Sequence, residues 1–127
     1  MSHSYHPQTK RVLEHIANEY GVQPEFLWPE HTPECCVFRN SRNRKWFGII
    51  MVIPGNKLGL DTNQSLDIID LKFNSGEALD FANNTPNIFP GWHMNKRNWI
   101  TLVLDDRMPD EAVFSLINKS FLLADQK

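Results

Sequence analysis

Cysteine is almost missing from this chain: Cys35 and Cys36 are all it has, and they are adjacent. A bond between chain neighbours would strain the backbone badly, so a disulfide-stapled secreted scaffold is not expected. Two unpaired thiols are the plain reading, and on a strand they would point to opposite faces. A zinc site drawing in His31 and Glu34 has no recognised ligand spacing. No apolar run approaches the roughly 18 residues a membrane span needs, and the start, Met1 to Pro7, carries no hydrophobic signal core. The expectation is a cytoplasmic protein with no membrane partner. Charge of one sign is lacking too: 13 basic against 15 acidic side chains give a net charge of −2. A strong, whole-surface pull on nucleic acid or anionic membrane is therefore not expected. Catalytic signatures are missing as well. The chain has no Gly-rich phosphate loop, no Gly-x-Ser-x-Gly, no His-Glu-x-x-His and no Cys-x-x-Cys. The expectation is a non-enzyme without a cofactor.

What is present describes one domain over residues 1–127, a length at which a single core forms without metal or disulfide staples. An apolar fraction of 41% and a charged fraction of 22% are ordinary for a globular protein. Pro7–Tyr20 reads as a helix, with Val12, Leu13, Ile16, Ala17 and Tyr20 on one stripe and Gly21 as its stop. The Val22–Glu34 segment is broken by Pro24, Pro29 and Pro33 and reads as a short edge strand plus loop, with Trp28 as a packing residue. Cys35–Asn40 and Lys45–Ile53 read as a hairpin whose second strand, almost wholly apolar, is covered on both faces. Ser65–Phe73 reads as a strand in which Ile69, Leu71 and Phe73 alternate with Asp70 and Lys72; Leu66 and Ile68 fall in the other phase, predicting a bulge or a change of cover near Ile68. Asp67 and Asp70 then face opposite sides and make a poor acid pair. Ser75 is the predicted N-cap of a short helix over Glu77–Ala82, Asn83–Phe89 a loop, and Trp99–Leu104 the last strand. Asp105 and Asp106 read as a solvated turn. The helix Pro109–Ala124 has Pro109 in its first turn and Val113, Leu116, Ile117, Ser120 and Ala124 facing inward. The predicted class is α+β, with N- and C-terminal helices packed on an antiparallel sheet.

The chain is organised around Pro90–Asp105, where a Pro-Gly turn leads through Trp92, His93, Met94, Asn95, Lys96 and Arg97 into the strand that starts at Trp99. His93 and Lys96 there can grip an anion while Asn95 fixes the loop. The competing reading makes Asn95 a turn residue bonding its own backbone and Trp99 an anchor for the strand. The local charge pattern bears on this choice. From Cys35 to Leu60 there are five basic residues, Arg39, Arg42, Arg44, Lys45 and Lys57, and no acid; from Phe81 to Leu104 there are Lys96 and Arg97 and again no acid. Should the hairpin and the Trp92–Asn98 segment share a face, a phosphate backbone would meet it locally, because screening limits reach to roughly 10 Å. Trp46 and Trp92 would add stacking surfaces. The plain alternative is a solvated hairpin whose charges deter aggregation.

Taken in order, Gly21-Val22, Trp28-Pro29, Val37-Phe38 and Lys45-Trp46-Phe47-Gly48 lead into Pro90…His93-Met94-Asn95-Lys96…Trp99, Val103-Leu104-Asp105, Pro109 and Ser120-Phe121. With these segments the chain resembles the MmcQ/YjbR family from about Pro7 to Ala124. It departs from the family pattern at Asn98, where His often precedes the Trp, and at Asp106, where Gly commonly follows the Asp; the second departure predicts a different turn. The resemblance implies a compact fold similar to CyaY-like proteins and to the double-wing DNA-binding domain, and DNA binding by analogy of fold. A CyaY-like acidic ridge for iron is not formed by Glu14 and Glu19 alone. Two functions follow as expectations. One is a small DNA-binding module using Arg42, Arg44, Lys45, Lys96 and Arg97 against phosphates. The other is a protein-interaction or small-anion module with Trp92, His93 and Lys96 lining a shallow pocket. The ligand and the oligomeric state are left open.

Overall fold

The computed structural model describes residues 4–126; the signal-core reading rests partly on Met1–His3, which lie outside the described residues. Three α-helices and five strands, with a short 3-10 helix (Gly55–Leu58) after β2, follow among these residues in the order α1 (Pro7–Tyr20), β1 (Cys36–Arg39), β2 (Trp46–Pro54), β3 (Ser65–Lys72), α2 (Ala78–Asn84), β4 (Ile88–Pro90), β5 (Trp99–Val103) and α3 (Asp110–Ala124). All strand pairs are antiparallel in a single sheet of order β1-β2-β3-β5-β4. The α+β class is as predicted.

The ends of α1 follow from local chemistry. His6 caps it by accepting the Gln8 N–H on Nδ1 (3.0 Å), Pro7 opens the first turn, and Gly21 closes it at φ 66°. Pro109 departs from expectation by one position: it is the N-cap of α3 rather than a first-turn residue. Ser75 does not cap α2. A turn with Gly76 at φ 82° stands between it and the helix, whose N-cap position is Glu77 without a side-chain bond. The predicted loop before Pro90 contains β4, three residues at the sheet edge, where a terminal proline is tolerated. Of the predicted edge strand in 22–34, one bridge forms, between Glu25 and Val37.

Helices α1, α2 and α3 pack on one face of the sheet, over Cys36, Phe38, Ile50, Ile69, Leu71, Ile100 and Leu102. The other face has no α-helix among the described residues; a single 3-10 turn, Gly55–Leu58, packs Leu58 against it. Loops cover it in two apolar groups, one around Cys35, Val37, Ile49 and Trp99 and one around Ile53, Ile68 and Val103, with Trp92, Met94 and Phe89 packed against them. This cover explains the double phase of β3. Leu66 and Ile68 face the loop-covered side while Ile69 and Leu71 face the helices, and pairing to β2 and β5 runs without a shift. The irregularity lies instead in β1, between Phe38 and Arg39. Asp67 and Asp70 do face opposite sides: Asp67 accepts from the Thr9 hydroxyl (2.5 Å) and the His6 N–H (2.8 Å) at α1, and Asp70 lies among the loops.

Candidate functional site

Both acid-free segments reach the same end of the sheet. The β1–β2 turn, Asn40–Lys45, sits there because Asn40 Oδ1 accepts the N–H groups of Arg42 (2.9 Å) and Asn43 (3.3 Å). The run into β5 is there too, since Phe73 donates its N–H to Asn98 O (2.7 Å) and Gly76 to Arg97 O (2.9 Å) just beyond β3. The turn arginines are not free, however. Arg42 binds Asp125 (3.0 Å), and Arg39 and Arg44 share Glu25 (3.2 and 2.9 Å). These carboxylates come from α3's end and the 22–34 segment, which the chain order separates from the turn. The expectation that Arg42 and Arg44 present unopposed charge is thereby corrected.

Lys45, Lys72 and Arg97 have no carboxylate partner among the described residues. Lys72, overlooked in the sequence, closes β3 between the two segments. It stands 5.7 Å over the Trp99 ring, and its proton affinity is lowered first by burial and then by the charge of Lys45. Lys45 donates to Gln126 O (3.0 Å). Lys72, Phe73, Asn98, Trp99 and Gln126 line an open groove of about 650 Å³, and Glu77 contributes a carboxylate to the same lining. In that groove Asn98 Oδ1 is buried with no hydrogen-bond partner.

The Trp92–Asn98 segment is built as a cover for the loop-side face. Gly91 makes it possible: a Cβ there would stand 2.7 Å from Trp99 Cβ and 2.8 Å from Trp99 O. Asn95 Oδ1 accepts the Arg97 N–H (2.8 Å), the turn role predicted for it. Lys96 Nζ donates to Gly91 O (3.2 Å), closing the segment on itself, which is a structural role for one of its three N–H groups. Beneath, the Trp92 N–H donates to Thr101 Oγ1 (2.8 Å) and the Thr101 hydroxyl donates to Asp70 Oδ1. Asp70 Oδ2 is buried without a partner. Burial pushes the Asp70 carboxyl up to about 7, against the opposing pull of the Thr101 bond and the Lys96 charge.

His93 holds a left-handed backbone, φ 60°, and its ring stacks on Trp92 at 3.7 Å. Both rings line a cavity of about 250 Å³ with Thr32, Glu34, Cys35, Met51, Val52 and Ile53. The expected shallow pocket thus exists beside Trp92 and His93, but Lys96 does not line it and Glu34 does. Asp105 and Asp106, read as solvated, are ion-paired: Asp105 with Arg107 (2.8 Å), and Asp106 with Arg11. Asp106 adopts φ 68°, the left-handed region Gly prefers, so the departure there does not demand a different backbone. Among the described residues no group of three or more His, Cys, Asp or Glu is placed to hold a metal ion, and no helix is long and apolar enough to cross a membrane.

A family model described as YjbR matches residues 18–123 of this chain. The chain belongs to the YjbR family. The YjbR match is supported by a Bacillus subtilis relative, the uncharacterized protein YyaQ, which is 38% identical over 112 residues, covering 88% of this chain and 93% of the relative. A crystal structure of a Pseudomonas syringae protein superposes with a TM-score of 0.84 at 35% identity, covering 91% of this chain and 97% of that one. A solution structure from the same organism gives 0.81 at 34%, covering 94% of each chain. A Deinococcus radiodurans crystal structure shares the YjbR chain's fold, with a TM-score of 0.62 at 21% identity over 90% of this chain and 78% of that one.

Proposed function

We propose that this YjbR-family chain is a non-enzymatic binding module for a polyanion, with the phosphate backbone of DNA as the ligand, engaged at the Lys45–Lys72–Arg97 end of the sheet. One observation carries the reading: Lys72 and Lys45 lie close enough for their charges to act on each other, Arg97 enters the same end of the sheet beside Gly76, and none of the three has a carboxylate partner among the described residues, while Arg39, Arg42 and Arg44 are each tied to one. Like charges left close together raise the local potential toward an anion even on a chain of negative net charge. Trp99, with Lys72 5.7 Å over its ring, gives that cation a flat apolar support. Binding rather than catalysis is favoured because Asp70, the carboxyl poised near neutrality, faces Thr101 and a buried loop rather than a nucleophile in an open cleft.

Three phosphate contacts imply weak, salt-sensitive binding, with a log–log salt slope of roughly −3 at about −0.9 per contact. Fluorescence anisotropy with labelled duplex DNA at low salt tests it. Lys72→Ala and Arg97→Ala are each expected to weaken binding severalfold and to reduce the slope by about one. No binding at a DNA concentration of ~100 μM, the weak limit of nonspecific association, removes the proposal, as does binding indifferent to both substitutions.

A further inference from the structure

At the opposite end of the β1–β2 pair from the turn, the cavity framed by Trp92 and His93 carries a charge of the wrong sign for an anion. Its floor is apolar, from Met51 and Ile53, and its wall is the Trp92–His93 stack. Glu34 supplies the one carboxylate in the lining, no lysine or arginine contributes, and the Glu34 carboxylate forms no ion pair among the described residues. Cys35 adds no charge, since burial raises its thiol's proton affinity against the opposing pull of its bond with Thr32. The stack is held in place at a conformational cost. His93 sits in the left-handed region, which a non-glycine residue keeps where its surroundings enforce it, and the Trp92 N–H is anchored to Thr101.

We propose that this cavity binds a small organic cation, an amine or quaternary ammonium group placed against the Trp92–His93 stack with its charge toward Glu34. A π-face and a single carboxylate beside an apolar floor are the recognition chemistry of such ions. The volume, about 250 Å³, lies just below that of drug-sized pockets and suits a ligand of metabolite size. The site is separate from the Lys45–Lys72–Arg97 end, so the two proposals stand or fall independently.

The test is a titration of the full chain with choline, its neutral isostere 3,3-dimethylbutan-1-ol, and benzoate, followed through the Trp92 indole N–H and the Cys35 amide in a nitrogen–proton correlation spectrum. Choline is expected to move both resonances with millimolar affinity, at least fivefold tighter than the isostere, the factor one unit charge a few ångströms away supplies in a watery dielectric. Glu34→Gln is expected to erase that preference, and His93→Ala to weaken choline while leaving the spectrum otherwise folded. Equal binding of the isostere, stronger binding of benzoate, or no shift with choline overturns the proposal, and each is read on the unsubstituted chain should either variant fail to fold.

Discussion

A carboxylic acid placed among apolar side chains must find a cation or keep its proton, and Asp70 has only part of a solution. Thr101 satisfies one oxygen, Lys96 contributes charge while spending its hydrogen bond on Gly91, and the second oxygen has no partner. The consequence for stability has a definite sign. Asp70 in the fold holds its proton up to about 7, whereas the unfolded carboxyl releases it near 3.8. Between those values the folded state binds more protons, so stability falls as pH rises from about 4 to 7 and stays low above it. The gap between the folded and unfolded proton affinities sets a ceiling of about 4 kcal/mol on this loss. Urea denaturation at pH 5 and pH 8 is expected to show the native chain losing stability across this window, and Asp70→Asn to lose markedly less. The pairs that lower the carboxyls of Asp105, Asp110 and Asp125 act below this window and do not confuse it. Sequence alternation puts Asp70 on the correct face, opposite Ile69, but a face that alternation marks as polar becomes interior once loops 22–34 and 91–98 fold over it.

Among the elements, α3 shows how a helix is fixed in register on a sheet by one polar contact. Ser120 is fully buried, donates to Phe47 O of β2 (2.5 Å) and accepts the Lys72 N–H at the end of β3 (2.8 Å). Removing the hydroxyl leaves both backbone groups without their partner. Ser120→Ala is therefore expected to cost roughly 1–3 kcal/mol, read as a lower urea midpoint with an unchanged slope. The same contact holds Lys72, so the substitution also bears on the basic end. The helix-period pattern already set Ser120 beside Val113, Ile117 and Ala124, and all four are buried; what it could not supply was the partner on β2, 73 residues away. Strand β4 stayed hidden because three residues carry no measurable alternation, and the α2 cap because the Gly76 turn is set by contact with Arg97 O rather than by Ser75.

On the scale of the whole molecule the charge pattern is a matter of which charges meet. Arg42 and Arg44 lie on exposed pairs, more than half exposed themselves, and such pairs contribute about 0–1 kcal/mol. Arg42→Ala and Arg44→Ala are accordingly expected to lower stability by no more than that in thermal melts and to leave DNA affinity within about twofold, while Lys72→Ala and Arg97→Ala behave the opposite way. The residues themselves determined a good deal: the α+β class, the extents of α1 and of the hairpin, the inward row of α3, the opposite facing of Cys35 and Cys36, and the family, since all of these follow from short-range periodicity, turn chemistry and ordered motif residues. Only the tertiary structure decided which basic side chains are cancelled, that Lys72 joins Lys45 and Arg97, that Asp70 is interior, and that Glu34 rather than Lys96 faces the aromatic cavity. Each of those is a meeting of groups tens of residues apart, and the energy of a charge depends on its neighbours and its exposure to water, neither of which is a property of the position in the chain.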